Sequence, residues 1–108
     1  MSKLAQSERP DPLSIGALRQ HIRLALDKGY FQEKNHAEND HPERNLSIDD
    51  VIHGLERKDW ILEREPNYDE EHRGWEYLIK TVDIDGDELH IKLCAHPADK
   101  RIDIITRW

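Results

Sequence analysis

The chain is poor in the residues that usually announce a function. It has one cysteine, Cys94, so no internal disulfide can form, and a reducing, cytoplasmic setting is the expectation. Its five glycines include no G-x-S-x-G elbow and no phosphate-cradling loop, and Gly86 belongs to a turn, which removes the familiar serine hydrolases and nucleotide-dependent enzymes. No apolar run approaches a membrane span, and the opening MSKLAQSERPDP lacks an apolar leader core, so neither insertion nor export is expected. Metal-ligand spacing is missing as well. His36 and His41 stand five apart in a polar stretch and Cys94-x-His96 offers two ligands at most, so no metal and no cofactor is expected.

Charge is what the chain has in quantity. Charged residues make up 36% of it, hydrophobic residues another 36% in periodic blocks, which describes a globular protein and not a disordered one. The formal net charge of −7 argues against a general nucleic-acid coat protein. Its distribution softens that objection, because residues 1–71 hold 10 Lys+Arg against 16 Asp+Glu and residues 72–108 hold 6 against 7. A locally basic groove on the C-terminal part remains open.

At 108 residues the chain supports one core. Residues 1–12 read as a flexible segment and 13–108 as the domain. Asp11-Pro12, with Ser14 as a competing cap, starts a helix over about residues 13–28 that Gly29 ends. Residues 32–45 are polar and contain Pro42, so they read as a loop with at most an extended piece near Asn35–Ala37. Ser47-Ile48-Asp49-Asp50 has the form of a capping box and opens a second helix. From Trp60 the period becomes strand-like. WILERE is a short strand, NYDEEHRG a loop, and Trp75–Ile84 a longer strand that Asp85-Gly86 turns, as a type I′ hairpin, into Glu88–His96. Residues 97–100 turn again into Arg101–Trp108. The expectation is an α+β domain with two N-terminal helices on one face of a mostly antiparallel sheet of three to four strands.

The strand at 88–96 places Leu89, Ile91, Leu93 and Ala95 on one face and His90, Lys92, Cys94 and His96 on the other. Two ionisable side chains two residues apart, with Arg107 on the next strand, make that polar face the first candidate site. RNA cleavage by 2′-OH attack needs a group to take that proton, one to give a proton to the 5′-oxygen, and a cation at the phosphorane. His90 could be base or acid, Lys92 and Arg107 could hold the phosphate, and Glu76 on the neighbouring strand could orient or accept a proton. Exposed strand faces also carry alternating charges simply for solvation. Cys94 reads as a filler, and Trp60, Trp75 and Trp108 as packing.

Several segments together resemble the MqsR-like branch of the RelE-type endoribonuclease toxins, and a related bacterial domain family of unassigned function often encoded beside zinc-ribbon antitoxins. They are the helix LSIGALRQHIRLALDKG, the helix SIDDVIHGLERKDW, the strands Gly-Trp-Glu-Tyr and Leu-His-Ile-Lys-Leu, and the terminal Ile-Ile-Thr-Arg. His36-Ala37, Arg44 and Leu46 to Val51 are similar to the related family's pattern, although its first arginine is Asp40 here. The resemblance implies a metal-independent endoribonuclease acting on single-stranded mRNA and held in check by a cognate antitoxin. It puts the toxin's sheet-face lysine on Lys92, its tyrosine on His90, its strand glutamine on Glu76 and its C-terminal lysine on Arg107, with a further basic position on Arg64 or, equally close in register, on Leu62. Arg64, Arg73 and Arg101 are then the RNA-binding candidates. The alternative is a non-catalytic protein-interaction module with the same fold.

Overall fold

A computed structural model describes residues 11–33 and 47–108. Helix α1 spans Ile15–Lys28, and its cap is Ser14, whose hydroxyl accepts the Ala17 N–H, so the Asp11-Pro12 start lies too early. Gly29 closes it in the left-handed conformation at φ 74°. Leu18, Ile22 and Ala25 form the buried stripe. Strand β1, Phe31–Glu33, follows at once. The expected loop from residue 32 therefore begins as a strand, and the extended piece near Asn35–Ala37 lies outside the described residues. Helix α2, Ile48–Glu56, has the expected capping box, with Ser47 and Asp50 satisfying each other's backbone N–H groups.

The remaining strands are β2 (Ile61–Leu62), β3 (Asn67–Asp69), β4 (Gly74–Val82), β5 (Glu88–His96) and β6 (Arg101–Arg107). They join β1 in one six-stranded sheet of order β1-β6-β5-β4-β2, with β3 also paired to β4. All pairings are antiparallel except β1 with β6. The strand count exceeds the expected three to four because two- and three-residue edge strands have no periodicity of their own to betray them. For the same reason NYDEEHRG, read as a loop, contains β3 and its turn. The β4–β5 hairpin is placed as expected, but its turn is not type I′. That turn needs positive φ at both central residues, and only Gly86 has it, at 88°. Instead Gly86 N–H bonds to Asp83 C=O and Asp83 N–H to Asp87 C=O, a three-residue loop closed by a left-handed glycine.

Both helices pack on one sheet face, where Leu18, Ile22, Val51 and Leu55 meet Tyr77, Ile79, Leu89, Ile91, Leu93 and Ile104 in a single cluster. Contact is closest at Gly54 of α2. A Cβ there would lie 2.6 Å from Thr81 Cγ2 and 3.2 Å from Val82 O, and the Thr81 hydroxyl already donates to Gly54 C=O at 2.8 Å. Gly54→Ala is expected to cost about 1–3 kcal/mol through overpacking, read as a lower urea midpoint. An unchanged midpoint would mean that the helix can lift off the sheet freely.

Candidate functional site

No described helix covers the opposite sheet face, and cross-strand register decides which side chains share it. On β4 and β5, Glu76 faces Cys94, Leu78 faces Lys92 and Lys80 faces His90. Glu76, Lys92 and His90 therefore lie together, as the period-two reading expects. Arg107 does not. β6 carries one residue too many: Leu93 pairs with Ile104 but Lys92 pairs with Thr106, leaving Ile105 as a bulge. Beyond it the parity of β6 is reversed. Arg107 stands opposite Ile91 on the helix side, buried, in an ion pair with Glu33 of β1. Trp108 takes the place opposite His90, exchanging both backbone hydrogen bonds with it and stacking on the imidazole at 5.2 Å between centroids.

Lys92 occupies the middle of the group. At about 3.3 Å per strand residue, His90 is about 7 Å along β5, and Glu76 lies diagonally across on β4 at a similar separation. Arg64 reaches Glu76 from the other side, at 3.3 Å. His90 is engaged by two carboxylates, Nδ1 with Glu63 at 2.8 Å and Nε2 with Glu88 at 2.9 Å. Both bonds exist together only when both ring nitrogens carry protons. Lys80 binds the same Glu88 at 3.1 Å. The face is thus a mosaic of both signs and not the basic groove that the charge distribution left open.

Glu76 is a perturbed carboxyl on this face. Its partial burial, and then the hydrogen bond and negative charge of Asp69, push it above the usual carboxylate range, while Lys92 and Arg64 draw it back. Asp69 goes the other way, to about 2: burial opposes its charge, but hydrogen bonds from His72 and Glu76 outweigh that. Its Oδ2 lies 2.6 Å from His72 Nδ1, and its Oδ1 accepts the Glu71 and His72 N–H groups. The two carboxyls share a hydrogen bond, which favours the ionised form of Asp69 and the protonated form of Glu76. Sequence reading missed Asp69 and His72 because residues 67–74 looked like a plain loop; the signal available was Asp69 three residues before a histidine, next to a strand.

Cys94, fully buried beneath this face, is pushed up to about 12, first by burial and then by Asp103, Asp69 and Glu76, so it stays a thiol and acts as filler, as expected. Arg73 and Arg101 are not beside Lys92. They lie at the end of the sheet, around a cavity of about 640 Å³ walled by Leu13, Trp75, Tyr77 and Pro97. Arg73 sits in the β3–β4 turn at φ 55°, and Arg101 is held by Asp103 at 3.0 Å. His96, also at the cavity, has Nε2 3.1 Å from Asp103 Oδ2 but off the line of a hydrogen bond; burial pushes its pKa down. Among the described residues Asp69, Glu71 and His72 form one group with metal-ligand spacing, within 4.8 Å. His36, His41 and Arg44 lie outside the described residues.

No family model, no curated protein and no solved structure matches the chain.

Two measurements check this geometry. Removing the Arg107 guanidinium strands Glu33 in a poorly hydrated place, so Arg107→Ala is expected to cost about 3–5 kcal/mol in denaturant unfolding, with most of the loss absent in a Glu33→Gln background. Additive effects would mean that the pair is not coupled. In a carboxyl-resolved NMR titration, Asp69→Asn should bring Glu76 down toward the ordinary carboxylate range without fully reaching it, because burial remains. The sign for stability follows: a raised Glu76 favours the fold below its unfolded pKa and ceases to do so as pH rises through its folded value, whereas Asp69 favours the fold above about 4 and loses that contribution as pH falls toward 2.

Proposed function

We propose that the open sheet face cleaves single-stranded RNA without a metal, as an endoribonuclease of the toxin type. One observation supports it above the others: Lys92 has a carboxyl pushed above its ordinary range, Glu76, on one side and an imidazole, His90, on the other. A phosphodiester resting on the Lys92 ammonium has a proton acceptor and a proton donor within one side chain's reach on either side. Glu76, once ionised, takes the proton from the 2′-hydroxyl as that oxygen attacks phosphorus. The bond to the 5′-oxygen breaks, His90 supplies the proton to it, and a 2′,3′-cyclic phosphate remains. Lys92 and Arg64 stabilise the extra negative charge of the phosphorane. A raised pKa makes Glu76 a stronger base than an ordinary carboxylate, and Arg64 takes the clamping role that the helix-side position of Arg107 denies it. Arg73 and Arg101, at the end cavity, meet the flanking nucleotides. In this reading the chain works in the cytoplasm, is neutralised by a cognate antitoxin protein, and has the RelE/MqsR-like architecture of two helices behind an open sheet.

The second reading is a non-catalytic interaction module. It is favoured by His90 being tied to Glu63 and Glu88, and by the net charge of −7, both unwelcome to RNA.

Cleavage of a single-stranded RNA in EDTA separates them. The wild type is expected to leave cyclic phosphate ends, with Lys92→Ala, His90→Ala and Glu76→Gln each slower by about 100-fold or more. The rate should fall at low pH, as Glu76 protonates, and do so at a higher pH than an ordinary carboxylate would set. Cleavage equal in all four proteins, or none in the wild type, leaves the interaction module standing.

A further inference from the structure

A cluster of positive charge lies on the helix side, away from the open face. Arg19 and Arg23 of α1 and Arg57 and Lys58 beyond α2 line a groove of about 450 Å³ whose floor is Leu26, Leu55 and Trp60. A second cavity, of about 370 Å³, continues it along α1 past Gly16 and Gln20 and shares Arg19, Arg23 and Lys58. In a chain with a net charge of −7 this clustering is against the average.

The cations are not equivalent. Arg19 is fixed, its guanidinium over the Trp60 ring at 3.9 Å and its Nη2 donating to Trp60 C=O at 2.6 Å. Arg57 is clasped by Asp59 through two hydrogen bonds of 2.8 and 2.7 Å. Arg23 and Lys58 are exposed and have no ion pair among the described residues. The groove therefore offers two available charges beside a partly apolar floor. The same lining contains two carboxylates, Asp27 and Glu56.

We infer that this groove docks an acidic amphipathic helix of a partner protein. Its carboxylates, one helical turn apart, meet Arg23 and Lys58, and its apolar side chains lie over Leu26 and Leu55. Mixed signs in the lining select that occupant over RNA: a phosphate backbone is negative along its whole length and meets repulsion at Asp27 and Glu56, whereas a peptide can place a neutral or basic residue there. Grooves between helices that take a partner helix are a recurrent binding mode, and separate carboxylates are what guanidinium and ammonium groups hold. The inference is independent of whether the open face cleaves RNA.

The test uses the full chain and a fluorescein-labelled helical peptide of about 18 residues, with glutamates one turn apart and leucines on the adjoining face. Fluorescence anisotropy is expected to show saturable binding that weakens with added salt. Arg23→Glu and Lys58→Glu should each weaken it about tenfold or more, while Arg23→Lys largely retains it. Both positions are exposed, and circular dichroism checks that the reversed variants stay folded. A peptide with glutamine for glutamate should not bind. Absence of binding to the wild type, equal binding by the charge-reversed variants, or displacement of the peptide by a single-stranded RNA oligonucleotide would each overturn the inference.

Discussion

One extra residue in β6 governs which side chains can act together in this protein. Strand pairing has a strict period of two, so a single unpaired residue turns over every side chain beyond it. Before Ile105 the faces of β6 follow the pattern set by β5; after it, a guanidinium that would have met His90 goes under the helices, and an indole comes up in its place. The consequences spread in both directions. Arg107 becomes the partner that lets Glu33 sit in a partly buried edge strand, and so ties β1 to the sheet. His90 acquires an aromatic backing that fixes the plane of its ring.

The open face illustrates how a local environment divides chemically similar groups. Asp69 and Glu76 are both carboxyls on neighbouring strands, yet hydrogen bonds from His72 and Glu76 draw one down while burial and its neighbour push the other up. Such a division is what acid–base chemistry requires, and ordinary ion-pair networks also produce it. The two cations nearest Glu76 decide how the pair responds to an approaching anion, since they are what offsets its charge.

Long periodic segments carried most of the legible information. The apolar spacing of α1 and α2, the capping box at Ser47, and the alternation along β4 and β5 are all local properties, and the alternation alone puts Glu76, Lys92 and His90 on one face. What could not be read was set by contacts between distant residues. β1 is three residues long and exists because β6 pairs with it; β2 is two residues long and leans on β4 in the same way. The bulge at Ile105 has no sequence mark, because isoleucine at 102, 104 and 105 suits either register. The turn at Gly86 was legible as a turn but not as to type, since Asp-Gly serves both a two-residue loop and a three-residue loop ended by glycine.

The parallel pairing of β1 with β6 sets the order in which the sheet can be completed. The antiparallel meander from β4 through β6 closes through short turns, each a modest entropy loss, whereas β1 must wait for a strand supplied from the far end of the sequence. Until then Phe31 and the edge beside it stay unsatisfied, and α1, which leads directly into β1, has only part of its docking surface. Docking of the α1–β1 unit is thus the high-contact-order step of assembly, since its partner strand β6 is the last in the sequence.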